Sequence, residues 1–452
     1  MHLQIPKALI DSLQNVKGFD EDAFVKAHEQ NEAITSIRYN PAKSAIDNLQ
    51  SAINIPWCPH GFYLPERPSF TFDPLFHAGT YYVQEASSMF LWQMLKQTVG
   101  ENLSGLKVLD LCAAPGGKST LLASYFKDGL IVANEVIRSR ANILVENITK
   151  WGSENVVVTN NDPKDFSKLK GFFDVILIDA PCSGSGLFRK DNDAINEWSE
   201  ENVILCSRRQ QRIAADVLPS LKEDGILIYS TCSYSKQEDE DILDWMISNH
   251  QLSTINCQPN EEWNIVETVS EKGAFGYRFY PDKIKGEGFF IAAFKKTDGE
   301  TGDSYFSTSF VIPSKHESAL AKEWIKEDDG LFLFKQNEKI IAIEERWKND
   351  IVFLQNNLYL RKAGVALGSV KGNDFVPEHE LALSSLMNDK IRKVELTKEQ
   401  AIQYLQKKEL VLEDDIKGWA LATYLDKNLG WIKILHNRVN NYYPKEWRIL
   451  KD

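Results

Sequence analysis

The chain has no apolar run of roughly eighteen residues, so no membrane-spanning helix is expected. Its first residues lack the apolar core and small-residue cleavage site of a secretory leader, and a cytoplasmic location is the expectation. Cysteine is scarce, six among 452 residues, which excludes a disulfide framework. Cys58, Cys112, Cys182, Cys206, Cys232 and Cys257 make no C-x-x-C pair. The lone Cys58/His60 pairing has no second half, so no metal is expected. Positive charge is also short: the formal net charge is −12. That excludes a wholly basic nucleic-acid binder but leaves room for a basic face on an acidic body. There is no internal repeat and no low-complexity tract.

What is present is a strand–helix alternation. Short apolar runs occur at 107–111, 130–135, 156–160, 173–179, 225–230 and 288–294, with helical patterns between them, including 85–97 and 138–150. Near-continuous apolar strands separated by helices predict a mostly parallel α/β sheet, buried on both faces. Residues 1–70 form an N-terminal extension, beginning as an amphipathic helix and becoming irregular. A polar, glycine-containing linker at 297–306 marks a boundary. It separates a region at 71–296 from a small mixed region at 307–385 and a C-terminal module at 386–452 with strands at 419–424 and 430–435.

Three acidic or glycine-rich features fall at the carboxyl ends of successive strands, where open parallel sheets bind ligands. The first is Asp110-Leu111-Cys112-Ala113-Ala114-Pro115-Gly116-Gly117-Lys118-Ser119. Its glycines allow a tight turn and close approach of a ligand to the backbone, and the helix beyond it presents free N–H groups. It is neither G-x-G-x-x-G nor a P-loop. The second is Glu135, placed to accept from ribose hydroxyls, and the third is Asp162, placed to accept from an adenine amino group. The bland alternatives are a helix-capping carboxylate for Glu135 and an Asx turn before Pro163 for Asp162. Two further segments, Asp179-Ala180-Pro181-Cys182-Ser183-Gly184 and Ser230-Thr231-Cys232-Ser233, end adjacent strands at that same edge. Physical reasoning brings both thiols to the ligand edge and does not rank them.

The Asp110–Ser119, Asp179–Gly184 and Ser230–Ser233 motifs resemble those of the Sun-family RNA cytosine-5 methyltransferases. The likeness spans about residues 70–295. The segment Arg361–Gly368 and the tail (Gly418-Trp419, Leu429-Gly430-Trp431, Asn441–Arg448) are similar to the RsmF/YebU branch. The resemblance implies a Rossmann-like S-adenosylmethionine-dependent methyltransferase domain at 71–296, with an N-terminal RNA-binding extension and a C-terminal PUA-like RNA-binding module. It implies S-adenosylmethionine as cofactor, held by Ala113 to Ser119, Glu135, Asp162 and Asp179. Small-subunit (16S) ribosomal RNA, or the subunit itself, is the implied partner of a monomeric enzyme. It also implies Cys232 as the nucleophile on carbon 6 of cytosine, Cys182 as a helper in product release, and Asp179 beside cofactor and base. Alternatives are a Pro-Cys nucleophile at Cys182 as in DNA cytosine-5 methyltransferases, a transfer-RNA substrate, and a non-catalytic ribosome-assembly factor. Two stretches suit RNA contact: the aromatic loop 273–281 with Arg278, and the tail, where Lys433, His436, Arg438, Lys445 and Arg448 interleave with Trp431, Tyr442, Tyr443 and Trp447.

Overall fold

In the computed structural model, residues 5–30, 34–43, 52–299, 310–327, 330–412 and 416–451 are described. The start of the expected N-terminal helix and most of the expected linker fall outside them. The described part of that helix runs Lys7–Leu13 and buries Leu9, Ile10 and Leu13.

The apolar runs build a ten-stranded sheet. Five strands form its parallel heart: β1 (Lys107–Asp110), β2 (Leu130–Asn134), β3 (Val156–Thr159), β4 (Phe173–Asp179) and β5 (Leu221–Thr231). They lie in the order β5-β4-β1-β2-β3. Alternate residues feed two separate cores, as a period of two requires. Leu109, Val132 and Ile176 pack with helices α3 (Glu200–Val217) and α4 (Glu240–Asn249). Val108, Ile131 and Val175 pack with α1 (Gly117–Tyr125) and α2 (Arg138–Trp151). The expected helices on both faces are present.

Beyond β5 the sheet turns antiparallel through β6 (Val266–Val269), β7 (Phe275–Phe279) and β8 (Phe289–Lys296), in the order β5-β8-β7-β6. The stretch expected as an RNA-facing aromatic loop is therefore largely strand β7. Arg278 is 1 % exposed and pairs with Asp239 and Glu240, so it is a buried structural residue. Tyr277, Phe279 and Tyr280 are likewise in the interior.

The flanking regions clasp this sheet. In the N-terminal region, strands Thr35–Tyr39, Ile53–Asn54, Gly61–Leu64 and Tyr81–Val83 make a sheet of their own. Arg38, wholly buried, reaches from it to Thr120 Oγ1 (2.6 Å) and the Gly117 carbonyl (3.2 Å) on α1. Residues 310–387 contribute a four-stranded antiparallel sheet, yet one of their strands, β9 (Leu360–Ala363), leaves it and pairs antiparallel with β3. The C-terminal sheet holds Gly418–Tyr424 and Lys427–Ile434 as its central pair. Among the described residues, no helix is long and apolar enough to cross a membrane.

Candidate active site

Strand β1 ends at Asp110, and the glycine-rich loop carries the chain into α1. Gly116 turns with φ 116°, a backbone conformation that side-chain-bearing residues rarely adopt. Helix α2 holds the loop carbonyls outward: Arg140 donates to the Ala114 oxygen (2.7 Å) and Asn147 to the Pro115 oxygen (2.8 Å). A cleft opens above the loop, lined among others by Tyr82, Gln84, Asp110, Ala113, Lys118 and Asp179. Tyr82 and Gln84 come from the N-terminal region, and nothing in the motif pattern announces them.

Asp110 is fully buried. Its Oδ2 accepts from Ser119 Oγ at 2.6 Å, while its Oδ1 has no protein partner. Burial pushes its carboxyl up to about 7, against the bond from Ser119. Ser119 itself is wholly enclosed, so it meets a ligand only through Asp110. Glu135 Oε1 caps Ile137 N (2.9 Å) and its Oε2 faces Arg140 (3.4 Å). Asp162 accepts from Lys164 N (3.2 Å) and pairs with Arg212 (3.6 Å). Both carboxylates thus fill the local roles that their bland readings describe, at the expected strand ends. Neither lines the cleft itself.

The cleft's donor set suits the amino-acid end of S-adenosylmethionine. An ammonium needs carboxylate or carbonyl acceptors, and Asp110 offers a buried, unsatisfied oxygen. A carboxylate needs N–H groups, and the start of α1 presents them.

The cysteines follow from the register of β4 and β5, in which Asp179 lies beside Ser230. The parallel strands deliver Cys182 and Cys232 to one point, with their Sγ atoms 3.0 Å apart and both thiols free. The hydrogen bond to Cys232, together with burial, pushes the Cys182 thiol well above the ordinary thiol range. Asp179 bridges this point to the cleft: its Oδ1 accepts from Ser230 Oγ (2.8 Å) and its Oδ2 meets Lys118 Nζ (2.8 Å). Burial opposes the Lys118 charge, but Asp179, with Cys232 and Asp110 behind it, outweighs burial and raises the ammonium's affinity for its proton.

Motif reading passes over the polar groups behind the sulfurs. Glu238 and Gln210 are wholly buried there, hydrogen-bonded to each other and to the segments that carry the cysteines.

Comparison with known proteins matches three family descriptions in chain order. Residues 5–86 match the N-terminal domain of 16S rRNA methyltransferase RsmF, 97–295 match 16S rRNA methyltransferase RsmB/F, and 391–449 match the methyltransferase RsmF PUA domain. The ribosomal RNA small subunit methyltransferase F of Psychromonas ingrahamii is 30% identical, over 98% of this chain and 97% of its own. Its counterpart in Aliivibrio fischeri is 30% identical over 91% and 90%. Among solved structures, a methyltransferase homolog protein from Pyrococcus horikoshii superposes with TM-score 0.54 at 29% identity, covering 65% of this chain and 96% of that one. With relatives alike from end to end, the chain belongs to the RsmF branch of the RsmB/F methyltransferase family, and the C-terminal sheet is its PUA domain.

Proposed function

We propose that the protein methylates carbon 5 of a cytidine in small-subunit ribosomal RNA, through a transient bond between Cys232 Sγ and carbon 6 of the base. The observation that carries this reading is the 3.0 Å contact between Cys182 and Cys232 beside the Lys118–Asp179 pair. The relatives' names supply the ribosomal RNA.

Carbon 5 of cytosine is a weak nucleophile. Addition of a thiolate to carbon 6 makes it enamine-like, so one hard step becomes two easier ones. The backbone from Ala113 to Gly117, Lys118, and the carboxylates Asp110, Glu135, Asp162 and Asp179 would hold S-adenosylmethionine, with Ser119 fixing Asp110. When bound, that cofactor supplies an electrophilic methyl group. Asp179 orients the base's amino group, and Lys118 fixes Asp179. Once carbon 5 is methylated its proton leaves to a water base, the carbon 5–carbon 6 double bond re-forms, and the bond from sulfur to carbon 6 breaks. The Cys182 thiol then donates a hydrogen bond to the departing Cys232 thiolate.

Small-subunit RNA incubated with the enzyme and methyl-labelled S-adenosylmethionine tests the reading. Label should enter as 5-methylcytidine. Cys232→Ala should abolish both transfer and covalent capture, and Cys182→Ala should accumulate a denaturant-resistant adduct. The opposite behaviour of the two variants, or label on another base, would overturn the reading.

A further inference from the structure

Glu238 lies six positions beyond Cys232, just ahead of α4, and is wholly buried. Its carboxylate takes four hydrogen bonds. Oε1 accepts from Ser183 N (2.8 Å) and from Gln210 Nε2 (3.2 Å). Oε2 accepts from Ser183 Oγ (2.5 Å) and Ser233 Oγ (2.7 Å). Ser183 follows Cys182 directly and Ser233 follows Cys232 directly, so one carboxylate grips the chain next to each thiol. Gln210 also donates to the Pro181 carbonyl (3.1 Å), which closes the grip on the other side of Cys182. The Glu238 backbone is pinned in turn, its carbonyl accepting from Tyr229 OH (2.6 Å) on β5.

The direct contact between the two serines cannot replace this bridge. Their Oγ atoms stand 3.5 Å apart, too far for a strong hydrogen bond between hydroxyls. Burying a carboxylate is also costly unless its lone pairs are filled. Here three of the four bonds come from the two segments whose spacing sets the sulfur contact, and the fourth comes from Gln210.

We infer that Glu238 is a positioning residue, tying the segment after Cys182 to the segment after Cys232 and so holding the two sulfurs in register. The inference rests on the reading given above, in which Cys232 attacks and Cys182 assists release. It separates the two half-reactions. Capture needs Cys232 and the cofactor site, whereas release needs the Cys182 thiol against the departing sulfur. A shift of roughly 1 Å in such an alignment costs about a hundredfold in rate.

The test compares full-length Glu238→Ala, Glu238→Gln and a Ser183→Ala/Ser233→Ala double variant, with Cys182→Ala and Cys232→Ala as references. Each is given small-subunit RNA and methyl-labelled S-adenosylmethionine in a single turnover. Adduct and free methylated RNA are read on a denaturing gel, with thermal stability and cofactor affinity measured alongside. Glu238→Ala should capture RNA at near the normal rate and release it about a hundredfold more slowly, resembling Cys182→Ala. Glu238→Gln keeps the size and an acceptor for Ser183 N, so it should recover most of the release rate. Should Glu238→Ala fail to fold, the double serine variant carries the same expectation. Normal release in a folded variant overturns the inference, as does equal loss of capture and release. If Cys182→Ala itself accumulates no adduct on the same gel, the underlying reading fails, and the role of Glu238 falls with it.

Discussion

Lys118 Nζ sits 2.8 Å from Asp179 Oδ2, joining the first turn of α1 to the end of β4. The lysine side chain is 14% exposed and also lies 5.0 Å over the Phe289 ring. Removing Lys118 leaves the Asp179 carboxylate, 32% exposed, with Ser230 as its remaining anchor. Lys118→Met should therefore let Asp179 swing from its position and lower kcat/KM by about a hundredfold or more. Steady-state methylation measures this, and a circular dichroism melt should show the variant folded. Unchanged kcat/KM would mean that Asp179 is held by Ser230 alone.

Asp110 gives a pH prediction. Burial lifts its carboxyl to about 7 in the folded chain, whereas an unfolded aspartate titrates near 3.9. Below the unfolded value both states are protonated and nothing is lost. Between about 4 and 7 the folded state binds more protons, so this group's contribution falls as pH rises, and its cost is complete above about 7. Asp110→Asn should remove that slope: the melting temperature of wild type relative to the variant should decline from pH 5 to pH 7.5. A cationic ligand group beside Asp110 would favour the ionised form. S-adenosylmethionine binding at pH 6.5 should thus release a fraction of a proton, detected by calorimetry in two buffers of different ionisation enthalpy.

Gly186 faces a geometric limit. Its amide donates to the Cys232 carbonyl at 2.9 Å. A Cβ built there would stand 2.5 Å from the Gly288 carbonyl oxygen and 2.9 Å from that of Cys232. All of these are backbone atoms, so the strain of Gly186→Ala moves the segment bearing Cys232. Covalent capture of RNA should fall by about a hundredfold, with cofactor affinity unchanged. Normal capture by this variant would show that the nucleophile tolerates displacement.

The parallel heart of the sheet was legible because its strands are buried on both faces and carry unbroken apolar runs. The cofactor loop was legible because glycine, proline and acidic residues punctuate strand ends in a fixed order. Strand β9 was not: Leu360-Arg361-Lys362-Ala363 is too short and too basic to stand out, and its place beside β3 comes from long-range pairing. The two cysteines could be brought together but not ranked, because both end adjacent strands at one sheet edge and face each other in a single contact. Glu238 was illegible because the serines that fill its lone pairs come from two other segments.

Arg278 shows the same limit as an error that can be tested. Read in the sequence, it suits a phosphate; in the fold its guanidinium meets Asp239, Glu240 and the Tyr234 carbonyl, all in the interior. Arg278→Met would leave two carboxylates unpaired and should cost about 3–5 kcal/mol of stability, read from urea unfolding. RNA affinity, measured well below the unfolding midpoint, should barely change.

The tail divides its aromatics between two jobs. Trp431 and Tyr443 are core residues, 0% and 1% exposed. Tyr442 is exposed and packs on Trp419, with ring centroids 4.4 Å apart, and Lys433 lies over that same indole. Arg438 is exposed nearby, on the turn that follows the central hairpin. Trp419, Tyr442, Lys433 and Arg438 thus offer a stacking surface with two cations, and His436 and Lys445 of the tail are exposed as well. Lys433→Ala and Arg438→Ala should each weaken RNA binding across sequences and reduce the salt dependence of log affinity by about one unit of slope. Tyr442→Ala should cost about 1–3 kcal/mol of binding with little effect on that slope. Trp431→Ala should instead unfold the module. Filter binding over a salt series, paired with thermal melts, separates the three outcomes. Equal salt slopes for wild type and both cation variants would place the RNA contact elsewhere on the chain.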